Sequence, residues 1–198
     1  MKGYILDFDD FSQSNNRLDL LFELKSFNPR FKATLFTPAG LSSYEFLKEI
    51  NKLDWLELAL HGWYHLPKEC KEWDYKKTIS YLEEAEKLGV FVKGFKCPMW
   101  IANEYVLQAL ADKDWWYADN PISEYAHIKR PENLKIYYAG TKEIVPGVMG
   151  GNYQRYHGHI QEIGGNGLET LYPILKTLPE NNYLFISEII KEFYGSKI

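Results

Sequence analysis

From end to end, the chain alternates short apolar and aromatic runs with stretches whose apolar positions recur every three or four residues. Residues 3–8 read as a buried strand. Over 17–27, Leu18, Leu21 and Phe22 fall at i, i+3 and i+4, the stripe of a helix with one buried face. Residues 32–37 form the next strand, stopped by the turn chemistry of Pro38-Ala39-Gly40, and Ser42 and Ser43 are candidate caps for a helix carrying Phe46, Leu47 and Ile50. A strand over 55–60 leads to the clearest helix, 72–88, with Tyr75, Ile79 and Leu82 at i, i+4 and i+7 and Gly89 as its stop. The pattern predicts further strands over 93–97, 115–118, 136–139, 153–160 and 183–186, and helices over 103–111, 168–178 and 187–193. The rest of 119–150 reads as irregular.

Strand and helix recurring at intervals of roughly 20–30 residues argue for parallel βα units, hence an α/β barrel or a doubly wound sheet. No G-x-G-x-x-G or G-x-x-x-x-G-K-[ST] follows the first strand, so the phosphate loop of a doubly wound nucleotide fold is missing. Residues capable of chemistry fall instead at the predicted C-terminal ends of several strands: Asp7, Asp9 and Asp10, then His61, Lys96, Asp119, and His157 with His159. In a parallel barrel those ends converge on one mouth. The 198 residues make one domain, 1–198. A complete eightfold barrel typically takes about 250 residues, so the expected fold is a distorted, incomplete (β/α) barrel of about seven units.

Composition narrows the partners. There are 23 Lys and Arg against 27 Asp and Glu, a net charge of -4 without a basic cluster, which argues against nucleic acid as the main partner. No apolar run approaches the ~20 residues of a membrane span. The first residues are interrupted by Asp7 before any signal-type apolar core develops, so a cytoplasmic protein is expected. Cys70 and Cys97 have neither zinc-site nor disulfide-framework spacing and read as reduced thiols.

Four of the five histidines fall in two tight pairs. His61 and His65 stand four apart after the third strand, where neutral imidazoles could reach one ion if the segment turns helically. Joined by a carboxylate from another strand end, they make the two-His-one-carboxylate set of an open catalytic metal site. Asp7, Asp9 and Asp10 repel one another unless a cation or hydrogen-bond donors offset their charge. His157 and His159, at i and i+2, share one face of an extended strand and could form a second metal site or supply an acid. Only His127 is left without a role.

In motif order and spacing over most of the chain, the sequence resembles the NodB-type polysaccharide deacetylases, carbohydrate esterase family four. Phe8-Asp9-Asp10 matches the family's aromatic-Asp-Asp motif, His61 to His65 its H-x-x-x-H, Lys96-Cys97-Pro98-Met99 its R-x-P-aromatic, and His159 or His157 its late histidine. The resemblance implies Asp10, His61 and His65 as ligands of a divalent metal, zinc foremost with cobalt and nickel as alternatives. It implies Asp9 as general base and His159, ahead of His157, as general acid. An N-acetyl or related N-acyl group of an amino sugar or glycan would then be hydrolysed by metal-activated water, with the Met99 N–H at the oxyanion. Several positions depart from the family: Phe11 replaces the usual Gly, Lys96 an Arg, Met99 an aromatic, and Asp119 matches the acid-supporting Asp only loosely. Trp63, Trp100, Trp115 and Trp116 fall in predicted strand-end loops where indoles could stack on sugar rings, with Trp63 and Trp100 nearest the motifs. Competing readings are a hydrolase of another non-peptide C–N bond, such as a cyclic amide, and a catalytically silent carbohydrate-binding domain. The oligomeric state stays open.

Overall fold

A computed structural model describes residues 3–120, 128–138, 153–161, 165–180 and 182–195. Its strands are β1 (Gly3–Asp9), β2 (Ala33–Thr37), β3 (Leu56–His61), β4 (Gly94–Lys96), β5 (Trp116–Asp119), β6 (Lys135–Tyr138), β7 (Tyr153–His159) and β8 (Tyr183–Leu184). Its α-helices are α1 (Leu18–Phe27), α2 (Tyr44–Asn51), α3 (Tyr75–Leu88), α4 (Glu104–Asp112), α5 (Leu168–Lys176) and α6 (Ile186–Tyr194). The sheet runs β6-β5-β4-β3-β2-β1-β7, with the short β8 joined to the lower half of β1, and every pairing is parallel. The result is the expected incomplete α/β barrel. Among the described residues no strand pairing joins β7 to β6; across that seam Arg155 of β7 donates from Nη1 to the Tyr138 carbonyl of β6 at 2.9 Å.

Side-chain alternation divides the molecule into layers. Outward residues of β1 to β3, among them Leu6, Phe8, Leu35 and Leu58, pack against Leu21 and Leu24 of α1, Leu47 of α2 and Leu171 of α5. On the other flank, Leu60, Phe95 and Tyr117 pack against Leu82 of α3 and Val106 and Leu110 of α4. Inside the barrel, Ile5, Phe36, Ala59, Trp116, Tyr137 and Tyr153 meet Ile186, Ile189 and Ile190 of α6, which plugs the lower end. Gly94 makes room for this layer: a Cβ there would lie 1.9 Å from the Trp116 ring. The next inward positions toward the C-terminal ends are Asp7, Asp9, His61, Lys96, His157 and His159. Strand parity alone therefore aims the candidate chemistry at one mouth above an apolar floor.

The structure moves some boundaries. The helix expected from residue 72 starts at Tyr75, because Asp74 caps it by accepting from the Lys77 N–H at 2.7 Å, and a 3-10 turn, Glu69–Glu72, precedes it. The predicted strand over 183–186 is only two residues long, and the last helix starts at Ile186. Trp116 lies in β5 and Trp115 directly before it, at the N-terminal end of the strand, so neither is in a loop at the mouth. Trp116 fills the barrel interior, and Trp115 is buried on the helical side, its Nε1 donating to Glu86 at 3.1 Å. Cys70 and Cys97 are free and buried, and burial together with the neighbouring Cys97 thiol pushes the Cys70 thiol up, away from reactive thiolate. His127 and residues 139–150 lie outside the described residues.

One buried carboxyl sits far from the mouth. Glu57 of β3 accepts from Thr34 Oγ1 at 2.9 Å and from the Ser187 backbone and hydroxyl in the first turn of α6. Burial outweighs those donors and pushes Glu57 up to about 7 from an ordinary 4.5. Between those two values the unfolded chain ionises this group while the folded chain keeps its proton, so this contribution to stability falls as pH rises. At about 1.4 kcal/mol per pKa unit, the loss is on the order of 3 kcal/mol by neutral pH. The three buried isoleucines of α6 exceed it, at on the order of 5 kcal/mol, so the plug stays in place. Glu57→Gln keeps the shape and removes the titration. Its melting temperature relative to wild type should rise between pH 5 and pH 8 in thermal denaturation; a difference that is flat or falls with pH would contradict this.

Candidate active site

Asp10, His61 and His65 converge although they come from two strand ends. Asp10 follows β1 with φ 65°, a left-handed conformation that Asp tolerates better than most residues; it returns to the mouth a side chain that strict alternation would send outward. The segment after His61 does not turn helically. Gly62 and His65 both have positive φ, and the loop between them is held by the buried Glu69 carboxylate, which accepts the Trp63 N–H at 3.2 Å and the Tyr64 N–H at 3.0 Å. A Cβ at Gly62 would lie 2.5 Å from Glu69 Oε2 and 2.8 Å from Pro98, so only glycine fits. His61 Nε2 then stands 3.4 Å and His65 Nε2 2.8 Å from Asp10 Oδ1.

This set fits a divalent metal on three counts. Ligand atoms about 2.0–2.1 Å from a tetrahedral ion sit roughly 3.3 Å apart, close to these spacings. Asp10 Oδ1 is a buried oxygen that closes no well-aligned hydrogen bond despite its two imidazole neighbours. His61 Nδ1 lies 3.0 Å from the Lys96 carbonyl, which can only accept, so the proton is on Nδ1 and the Nε2 lone pair faces Asp10. The second Asp10 oxygen accepts from Gln161 Nε2 at 3.3 Å. Burial opposes ionisation of Asp10, but the adjacent His61 and His65 hold it well below the carboxylate range, and the nearby Asp10 carboxylate pushes His65 up.

Asp9 is held separately. Its Oδ1 accepts from Lys96 Nζ at 2.7 Å, and Lys96 is fully buried, its ammonium 3.8 Å from the Trp100 ring centroid and 4.8 Å from that of Phe36. Burial works against the Asp9 carboxylate, yet the charges of Lys96, His157 and His61 outweigh it and keep the group ionised. Asp9 Oδ2 faces His61 Nε2 and His157 Nε2, each at 3.8 Å, and His159 Nε2 at 4.0 Å. The β1–β7 register explains the late pair, since Asp7 lies beside His157 and Asp9 beside His159. His157 Nδ1 is 2.7 Å from Asp7 Oδ2 and its ring meets Trp100 edge-on, while His159 Nδ1 is 3.0 Å from Asn166 Oδ1.

The remaining predicted residues separate. Trp100 lines the site and Met99, also at positive φ, is exposed beside it. Trp63 stacks on Tyr81 of α3 at 4.7 Å and packs into the outer core. Asp119 has the opposite parity to Ala118 and binds Arg130, with Nε at 2.8 Å, so it does not support a late histidine; Asp7 contacts one instead. In the sequence Asp7 shares the parity of Asp9, which was the available signal. Glu69, Asn166 and Gln161 carry no pattern that would single them out.

The sequence matches no family profile and no curated protein. Solved structures do share its fold. The carbohydrate-esterase-family-four domain of a multidomain xylanase from the hindgut metagenome of Trinervitermes trinervoides is 17% identical with a TM-score of 0.60, over 96% of this chain and 90% of that one. A family 4 acetyl xylan esterase from Clostridium thermocellum, in complex with a cobalt ion, is 14% identical with a TM-score of 0.61, over 96% and 91%. A family-four pseudoenzyme from Bacillus anthracis is 18% identical with a TM-score of 0.58, over 96% and 66%. The chain therefore has the fold of the family-four polysaccharide deacetylases, the family its motif order resembles.

Asp10→Ala or His61→Ala should weaken zinc binding at this set at least about 100-fold, and Glu69→Gln, which disturbs only the loop anchor, by about 10-fold. Calorimetric titration of metal-free protein measures both. Unchanged affinity in Asp10→Ala would remove this oxygen from the ligand set.

Proposed function

We propose that the protein is a divergent family-four deacetylase, a single catalytic domain over 1–198. It hydrolyses an N-acetyl or related N-acyl group on an amino sugar or glycan with a divalent metal, zinc foremost and cobalt or nickel otherwise. One observation carries the reading: a buried, orphaned Asp10 oxygen faces two imidazoles, while the adjacent Asp9 is held apart by its own cation. Ligand and base are thereby separate groups on neighbouring residues.

Bound by Asp10, His61 and His65, such an ion supplies a water of pKa near 7 and polarises the acyl carbonyl. Asp9, ionised and steered by Lys96, takes the proton of the attacking water through Oδ2. His159 is the proposed acid for the leaving amine, since it lies level with Asp9 and is the more exposed late histidine, its side chain 20% accessible against 6% for His157. One observation favours His157 in that role instead: its Nδ1 lies 2.7 Å from the Asp7 carboxylate, whereas His159 Nδ1 meets the amide oxygen of Asn166 at 3.0 Å. The Met99 N–H is the proposed oxyanion donor, a contact worth roughly 3–4 kcal/mol. Trp100 is the proposed stacking surface for the sugar ring.

No helix among the described residues is long and apolar enough to cross a membrane. A cytoplasmic protein acting on a nucleotide sugar, lipid-linked sugar or glycan precursor is the proposed setting. The reading predicts acetate release from N-acetylated amino sugars by the zinc-loaded protein. Asp9→Asn should keep the metal held by Asp10, His61 and His65 and lose turnover by about 10²–10⁴-fold, with the larger kcat loss of His159→Ala or His157→Ala naming the acid. Zinc-loaded wild type that binds such sugars without releasing acyl groups would favour a silent binding domain, a state with precedent in the pseudoenzyme of this fold.

A further inference from the structure

We propose that Asp9, His157 and His159 form a second, weaker divalent-cation site beside the first. Their ligand atoms lie within 4.8 Å of one another, with both imidazole Nε2 atoms close to Asp9 Oδ2, at 3.8 and 4.0 Å. The outer nitrogens are tied off. His157 Nδ1 donates to the Asp7 carboxylate and His159 Nδ1 to the Asn166 carbonyl oxygen, so each ring turns an Nε2 lone pair into the cleft. This is the support that metal-bound histidines characteristically receive, a carboxylate or carbonyl on the far nitrogen fixing tautomer and orientation. Two imidazoles and one carboxylate with open positions form a complete donor set for zinc, cobalt or nickel.

Geometry and charge order the two sites. The first set already approaches the roughly 3.3 Å spacing of ligands around a tetrahedral ion, whereas the second must contract by about half an ångström. The Lys96 ammonium, 2.7 Å from Asp9 Oδ1 and 3.4 Å from His157 Nδ1, touches ligands of the second site directly and so repels a cation there more strongly. Asp7, Asp9 and Asp10 against Lys96 leave a buried formal charge that one divalent ion neutralises and a second overshoots. The second ion thus binds after the first and more weakly. Once there it occupies Asp9 Oδ2 and both late histidines, so excess metal suppresses the reaction proposed above. The inhibition rests on that reaction; the binding does not.

Chelator-treated full-length protein titrated with zinc alone, by calorimetry and by metal analysis after equilibrium dialysis, should bind two ions, the second at least about tenfold more weakly. His159→Ala and His157→Gln, each with wild-type circular dichroism, should keep the first step and lose the second. His159 is partly exposed, and the glutamine retains a donor for Asp7, which guards both variants against misfolding. Saturation of wild type at one zinc under excess metal would overturn the site, as would a second step that persists in both variants. Two steps with no acyl release would overturn the proposed function and leave the site standing. A single step in an active enzyme would do the reverse.

Discussion

Three carboxylates from four consecutive positions, Asp7, Asp9 and Asp10, are buried at the barrel mouth around one buried ammonium, that of Lys96. Taking an ion out of water costs several kcal/mol even after relaxation, and an unpaired buried charge is rarely kept. The surroundings meet part of that cost: Lys96 touches Asp9 and approaches Asp7, the His157 imidazole bonds one Asp7 oxygen while the other, Oδ1, has no hydrogen-bond partner, and Asp10 faces two more imidazoles. The parallel barrel makes this concentration feasible. Its inward positions at the lower end, where α6 seals it, are mostly apolar, with Glu57 as a buried exception, and the charged cluster sits where strands open to loops. The fold supplies the hydrophobic stabilisation at one end that a strained electrostatic cluster needs at the other.

The same alternation explains what could be read from the chain. Parallel units were legible because β1 and β3 are buried on both faces and read as near-continuous apolar runs, while α3 and α2 carry clean helical stripes. Asp9, His61, Lys96 and the late histidine pair were legible as candidates because they sit at strand ends, where position follows from the strand itself. What escaped was set by loops. The convergence of His61 and His65 depends on positive φ at two positions and on one carboxylate gripping two backbone amides, and Glu69 in the sequence is simply one acid among many. Parity also corrects: Asp119 looks like a partner for a late histidine by order along the chain, yet it sits one residue out of phase with the interior and spends its charge on Arg130. The tryptophans show the same limit, since an indole next to a motif reads alike whether it lines a cleft, as Trp100 does, packs half-buried against the outer core, as Trp63 does, or fills the interior, as Trp116 does.

The departures from the family pattern are coupled. A guanidinium presents a planar fork that can fix a carboxylate in two places; an ammonium is a point charge on a flexible stem and fixes none by itself. Here the stem is immobilised by burial, and the ammonium is pinned by the Trp100 and Phe36 rings, so a lysine can do the orienting that its head group does not. Phe11, in place of a glycine, belongs to the same economy of packing: it is fully buried, stacks on Phe46 of α2 and donates its N–H to the Phe36 carbonyl. It thus secures the chain immediately after the Asp10 turn, and through β2 the ring against which Lys96 rests.

Asp7 completes this rearrangement. With Asp119 turned outward, the late histidines would have no carboxylate partner from β5, and β1 provides one at the position paired with His157. That choice has an electrostatic consequence. An acid on β1 adds a negative charge two residues below Asp9, where Lys96 is 3.7 Å away, so a single ammonium is shared between Asp9 and Asp7. The cluster therefore stays net negative before any metal binds, and the attraction for cations that follows belongs to the whole mouth. In the metal binding proposed above, ligand spacing and the position of Lys96 within the mouth, rather than its net charge, distinguish one corner from the other.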